Sequence, residues 1–433
     1  MSDLLSTPFV LPCGVVLSNR LCKAAMTEGL GDDQLRATER HERLYRTWSV
    51  GGAGLQITGN VMIDRQVIER PGNVAIDVTH PPSVDREARA ALRRWAAAGT
   101  VAGNQLWMQL SHAGRQSPRY VTRQPVGPSE VQLELLGNYA RPRALREDEI
   151  LDFIRRFGQA AKIARDCGFT GVQVHGAHGY LLSSFLSPIT NRRNDAWGGA
   201  LANRARFLIE AVRAVRAATG ADFPLSVKLN SDDFRKGGFS HSDCLAVVAL
   251  LNAEGVDLLE ISGGNYEQPR LLGVAGRARD EVEVRPSTKV REAYFLDYAQ
   301  AIRAVACMPL MVTGGFRSRA GMETALADGD TDLIGIARPL CTHPDSPRRL
   351  LSGEIEQLPA FERGLMLRPR GWLSPASPVL LLKMVNVLGA QGWYYQQIDR
   401  LARGRPADLA RGLLRSFVRY WWDDLSRASR IRR

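Results

Sequence analysis

The densest chemistry in the chain lies in six residues. The apolar run GVQV is followed by His175, His178 and Tyr180, two imidazoles and a phenol, separated by glycine and alanine. A phenol with a pKa of about 10 stays protonated at neutral pH and can act as a general acid. Imidazoles can donate hydrogen bonds to an oxygen on which negative charge develops, and donors fixed in that direction stabilise a transition state more than its ground state. The residues could also be a structural histidine pair or, through their His-x-x-His spacing, two metal ligands, but no further ligand pattern completes a metal set. Other apolar runs close on polar groups as well: Asn60 in LQITGN, Gln109 in WMQL and Lys228 in LSVKLN. An amide offers a donor and an acceptor together. The pair Gly314 and Gly315 precedes the run LIGIA, which ends in Ala337 and Arg338. Glycines allow close backbone approach to a phosphate, and an arginine can neutralise it.

Eight short β-branched or apolar runs must position these groups: Leu21–Ala25, Gly54–Thr58, Gln105–Leu110, Gly171–His175, Leu225–Leu229, Leu258–Ile261, Leu310–Thr313 and Leu333–Ile336. They alternate with amphipathic stretches, as repeated βα units with a parallel sheet do. Eight such units predict a (β/α)8 TIM barrel, whose catalytic groups sit at the C-terminal ends of the strands. The clearest helix is Glu147–Arg165, where Ile150, Phe153, Ile154, Phe157, Ala161 and Ala164 recur at helical steps and Gly168 follows as a stop. Connections Ser111–Leu145, Gly176–Ala200 and Gly263–Pro286 are too long for turns and are expected to carry function, the first and last by overhanging the site.

The chain has 433 residues, 45% hydrophobic and 24% charged, which suits a large globular core. Its six cysteines form no Cys-x-x-Cys pair, which argues against a zinc site, an iron–sulfur cluster or a disulfide framework. No run approaches the ~20 apolar residues of a membrane span, and the start shows no secretory pattern. A cytoplasmic protein is expected. The net charge of +12 sits mostly beyond residue 360, so the barrel itself is nearly balanced and gives no nucleic-acid footprint.

The segment GVQVHGAHGYLLSSFLSPITNRRNDAWGGALANRARF resembles the Old Yellow Enzyme family of flavin-dependent ene-reductases, and SNRLCKAAMTEG resembles its flavin-proximal element. The resemblance covers roughly residues 5–345. It implies tightly bound, non-covalent FMN, with NAD(P)H as a transient hydride donor that takes the substrate's place over the flavin. It implies that His175 and His178 bind the oxygen of an electron-poor alkene and that Tyr180 protonates the carbon beside it. Ala25 and Met26 would approach the flavin edge, Thr27 would bond its C4 oxygen, and Asn60 and Gln109 would meet its polar edge. Lys228, where arginine is usual, would stand near N1–C2. Gly314, Gly315, Ala337 and Arg338 would hold the phosphate. Alanine at position 25 departs from the family's usual proline. Asp195, Trp197, Gly198, Gly199, Asn203 and Arg204 also match, but read as loop and helix-start structure, while Arg115 could touch FMN or substrate.

The expected organisation is a barrel over 1–360 and a basic, mainly helical extension over 361–433, with a boundary in Leu367–Pro378. Leu409, Leu413, Phe417, Trp421 and Leu425 stand four apart among arginines, which predicts an amphipathic helix packed on the barrel or on a subunit partner in a homo-oligomer, or lying on a membrane surface. Family members with more domains continue into an iron–sulfur motif and a dinucleotide-binding domain, whose cysteine cluster is missing here. Two alternatives remain open at this point: an FMN barrel reductase acting on RNA, of the dihydrouridine-synthase kind, and a non-catalytic flavin-binding, membrane-associated protein.

Overall fold

The computed structural model describes residues 3–135, 137–264 and 295–431. Eight parallel strands close on themselves: β1 Leu21–Lys23, β2 Leu55–Met62, β3 Gln105–Ser111, β4 Gly171–Gly176, β5 Leu225–Asn230, β6 Leu258–Ser262, β7 Leu310–Thr313 and β8 Leu333–Ile336. Closure runs through Gly335 beside Cys22 and Cys22 beside Leu55. This is the (β/α)8 barrel. Every residue of β4, β5 and β6 is buried, because helices cover the outside and side chains fill the lumen. Such strands read as continuous apolar runs rather than alternating ones.

Strand β2 runs four residues past the predicted end at Thr58. Its register with β3 shifts between Ile57 and Asn60, and Gly59 lies at that irregularity. A Cβ at Gly59 would stand 2.3 Å from the Met26 carbonyl oxygen and 2.3 Å from Glu28 Oε2. The missing side chain at Gly59 lets the segment after β1 approach β2.

The helix Glu147–Asp166 buries Ile150, Phe153, Phe157, Ala161 and Ala164, with Ile154 partly buried against the same core. The connection Ser111–Leu145 folds back as a paired Val126–Gly127 and Arg143–Ala144, and Gly176–Ala200 contains the short helix Leu181–Leu186. Beyond Gly264, the predicted connection Gly263–Pro286 lies outside the described residues.

The extension forms two helices, α1 Leu380–Ala402 and α2 Leu413–Ala428, packed on each other and on the loops after β1, β2 and β3. Arg70, after β2, holds Asp424 through Nε and Nη2, both at 2.9 Å from Oδ1. Tyr120, after β3, donates to Asp424 Oδ2 at 3.3 Å, and Arg427 donates to the Gly29 carbonyl after β1. The tail therefore sits at the C-terminal mouth of the barrel.

The predicted apolar stripe needs correction. Leu409 lies before α2 begins and is 48% exposed, while within α2 Leu413 is buried but Leu425 is 49% exposed. A strict four-residue step drifts about 40° per step around a 3.6-residue helix, so the stripe winds off the inward face. That face is Leu413, Ser416 and Asp424, while Leu414, Val418 and Trp422 point outward. Among the described residues no helix is long and apolar enough to cross a membrane.

Candidate active site

The end of β4 turns sharply into the Leu181–Leu186 helix, and this turn gathers His175, His178 and Tyr180. His178 adopts a φ of +65°, unusual for a side-chain-bearing residue, between Ala177 and a left-handed Gly179. Asn230, closing β5, accepts from the His178 amide at 3.1 Å, and Gln116 donates to the His178 carbonyl at 3.0 Å. These contacts hold the turn in a conformation it would otherwise avoid. The His175 ring centroid lies 4.9 Å from that of Tyr180 and 5.2 Å from that of His178.

The protonation of His175 follows from its neighbours. Burial first, then the neighbouring His178 and Lys228, push its pKa well below the ordinary value, so the ring is neutral. Its Nδ1 accepts from the Ala177 amide at 3.2 Å. The single ring hydrogen is therefore on Nε2, which is left as a donor. His178 is kept neutral by burial and by Lys228, and its Nε2 shares a hydrogen bond of 2.8 Å with Ser262 Oγ at the end of β6. Uncharged donors suit an oxygen that gains charge only during reaction, because they bind the neutral ground state weakly.

Beneath this turn a polar chain crosses the barrel. Gln109 donates to Gln173 at 2.7 Å, Gln173 donates to Glu260 Oε2 at 2.8 Å, and Lys228 donates to Glu260 Oε1 at 2.7 Å. Register places Gln109 beside Gln173, and Lys228 between His175 and Glu260. Lys228 is thus paired with Glu260, and its charge is largely balanced. Sequence reasoning missed Gln173 and Glu260. Each is a polar residue inside a wholly buried strand, and only the alignment of neighbouring strands shows what it meets.

The residues expected to hold FMN fall around the same mouth. Ala25, Met26 and Thr27 are half-exposed, while their neighbours on both sides are buried. Asn60 lies beside Gln109 in register. Its Nδ2 donates to Glu69 at 2.8 Å, and its buried Oδ1 has no partner among the described residues. An orphaned acceptor there fits the N3–H of an isoalloxazine. The Thr27 hydroxyl donates to Glu69 at 2.7 Å, the same carboxylate that Asn60 holds.

Gly314 and Gly315, just after β7, have φ of +119° and +98°. Thr313, which they follow, pairs with Gly335 on β8, the strand that leads through Ala337 into the 3-10 helix Arg338–Cys341, and the Thr313 Oγ1 has no partner among the described residues. Backbone N–H groups at a glycine turn beside a helix start suit a phosphate. Arg338 lies 3.8 Å from Glu362, to which Arg317 also donates. Burial would raise the Glu362 pKa, but Arg338 and Arg317 together hold it below the ordinary carboxylate value. The donors, orphaned atoms and glycine turn together fit FMN.

The remaining candidates are mostly structural. Arg115 donates to the carbonyls of Val131 and Gln132, bracing the long third connection. Arg204 ties Leu186 to Gly199, and Asp195 receives Arg193 and the Trp197 amide. Among the described residues no three His, Cys, Asp or Glu side chains are grouped to hold a metal.

Residues 5–357 match the NADH:flavin oxidoreductase / NADH oxidase family. The chain belongs to this family. It is 34% identical over 424 residues to the NADH-dependent flavin oxidoreductase iccE of Talaromyces variabilis, covering 93% of this chain and 99% of that one. It is 38% identical over 365 residues to iliE of Neonectria sp., also described as an NADH-dependent flavin oxidoreductase, covering 80% of this chain but 47% of that protein. Among solved structures, the Old Yellow Enzyme homologue of Zymomonas mobilis superposes with a TM-score of 0.68 at 25% identity, over 87% of this chain and 99% of that one. A 2-naphthoyl-CoA reductase complex gives a TM-score of 0.73 at 25% identity, over 83% of this chain and 54% of that one. Membership of this family leaves the RNA-modifying reading without support.

Proposed function

We propose that the protein is an NAD(P)H-dependent flavin oxidoreductase that reduces the carbon–carbon double bond of a small, electron-poor alkene. The observation that carries this reading is the neutral His175, its remaining donor on Nε2, packed against Tyr180 at the end of β4. FMN held by the residues after β1, β2, β3, β7 and β8 would supply a hydride taken from NAD(P)H.

The chain's own residues do the rest. His175 and His178 hold the carbonyl or nitro oxygen of the alkene and stabilise the charge that reaches it when hydride adds at the β-carbon. Tyr180 places a phenol proton for the carbon next to the activating group. Asn230 and Gln116 fix the backbone on which both His178 and Tyr180 depend. Lys228, balanced by Glu260, adds positive potential under the flavin's pyrimidine side without leaving a bare buried charge.

The direct experiment supplies FMN and NADH or NADPH to the purified protein with 2-cyclohexenone, a nitroalkene and a maleimide, and follows both nicotinamide oxidation and the saturated product. The proposal expects bound FMN and stoichiometric alkene reduction with at least one acceptor. A protein that takes up no FMN, or that oxidises NAD(P)H only with oxygen, refutes it.

A further inference from the structure

A cavity of about 960 Å³ opens between the helix pair α1–α2 and the loops after β1 and β2, away from His175 and Tyr180. It begins at Glu28 and Gly29, directly beyond the flavin-facing segment Ala25–Thr27. Its lining holds eight arginines against three carboxylates. Two of these carboxylates are already engaged: Asp399 by Arg40 and Arg403, and Asp423 by Arg419. Arg405 and Arg415 have no ion-pair partner among the described residues, and Arg400 reaches only the Pro406 carbonyl.

Two buried cations sharpen the picture. Arg70 is 7% exposed, and its Nη1 has no partner among the described residues even though Nε and Nη2 hold Asp424. Arg427 donates to the Gly29 carbonyl with no carboxylate bonded to it, and burial followed by repulsion from Arg70 and Arg40 lowers its pKa to about 10. Four of the eight arginines are paired, Arg70 with Asp424, Arg403 with Asp399, Arg411 with Asp408 and Arg419 with Asp423, while Arg400, Arg405, Arg415 and Arg427 have no carboxylate in an ion pair among the described residues, an excess suited to an anion with several charges. The wall is not purely basic. Leu414, Val418 and Trp422 also line it, and the Trp422 indole is 68% exposed. An exposed indole among arginines offers a flat apolar surface beside phosphate donors.

We infer that this cavity binds the adenosine diphosphate portion of a nucleotide that reacts at the flavin, with the arginines on the pyrophosphate and Trp422 against the base. The ligand class rests on the hydride-transfer reading above; the cavity's affinity for ADP does not. Two reactants carry that portion, the dinucleotide hydride donor and a coenzyme A thioester of an unsaturated acid.

The test titrates ADP, adenosine and inorganic phosphate into FMN-loaded full-length protein by calorimetry. ADP is expected to bind and adenosine to bind far more weakly. The double variant Arg405→Glu/Arg415→Glu is expected to weaken ADP by about tenfold or more, with flavin content unchanged. Trp422→Ala should weaken ADP but leave phosphate unaffected. If the dinucleotide is the source, the double variant raises the half-saturating NADH concentration for flavin reduction by the same factor and leaves reduced nicotinamide mononucleotide unaffected. If a thioester is the source, NADH is unaffected and coenzyme A competes with ADP. Absence of ADP binding in an FMN-loaded, hydride-accepting protein overturns the inference alone, as does equal binding by the double variant. ADP binding by a protein that takes up no FMN overturns the hydride-transfer reading and leaves the cavity's ligand standing. Capture by phosphatidylserine vesicles through the same arginines, without ADP binding, would assign the face to a membrane surface and overturn the inference.

Discussion

Asp424→Ala tests what holds the C-terminal helices at the barrel mouth. The Asp424 side chain is fully buried and that of Arg70 is 9% exposed, with Nε and Nη2 both 2.9 Å from one carboxylate oxygen. Removing the carboxylate leaves the largely buried guanidinium without its ionic partner. Breaking a buried pair from one side costs about 3–5 kcal/mol. The Arg70 stack on Tyr395, 3.6 Å from the ring centroid, is present before and after and contributes nothing to the difference. The loss should therefore appear as local opening of α2, with amide exchange in 413–428 accelerated by roughly two to three orders of magnitude. Peptides from β4 and β5 should exchange at their original rates. Hydrogen–deuterium exchange with mass spectrometry reads both. The double variant Arg70→Met/Asp424→Leu should restore slow exchange, because apolar groups of similar size can replace a buried pair at little cost. Unchanged exchange in Asp424→Ala, or a double variant as open as the single one, would refute the reasoning.

Three further outcomes follow from the site. His41, His175 and His178 all have folded pKa values below 6.5, mainly through burial, so the unfolded chain binds more protons as pH falls through 6.5. Stability is then lost on acidification, by up to about 4 kcal/mol per pH unit for the three together below the unfolded value, and urea midpoints that agree at pH 7 and pH 5.5 would contradict it. Gly59→Ala puts a methyl 2.3 Å from the Met26 carbonyl and should both displace the flavin-facing segment and destabilise the fold by about 1–3 kcal/mol; equilibrium dialysis should show FMN lost at least in part, and unaltered FMN affinity would count against that segment. Glu260→Gln removes the charge balancing Lys228 and should raise the flavin midpoint potential by roughly 20–45 mV, the equivalent of about 1–2 kcal/mol for a two-electron couple, as read by spectroelectrochemistry.

Much of this architecture was legible because a parallel barrel buries both faces of its strands. All eight apolar runs coincide with strands, and Leu310–Thr313 and Leu333–Ile336 agree to the residue. The turn bearing His175, His178 and Tyr180 was legible for the same reason, being local to one strand end. What escaped depends on lateral register. Gln173 and Glu260 matter because alignment across four strands brings Gln109, Gln173, Glu260 and Lys228 together, and no spacing within a single strand announces that. The rotation of α2 escaped too, since it is set by Arg70 more than 350 positions away in the chain. The continuation of β2 past Thr58 also escaped, because Gly59 admits the Met26 carbonyl at a close approach that only the folded arrangement shows.

The central claim, proton delivery by Tyr180 beside a neutral imidazole donor, is tested most directly by single-turnover kinetics of the Tyr180→Phe variant loaded with FMN. Full FMN occupancy, flavin reduction by NAD(P)H at the wild-type rate, and reoxidation by an enone slowed by about 10²- to 10⁴-fold are expected. Reoxidation at the wild-type rate in that variant would contradict it.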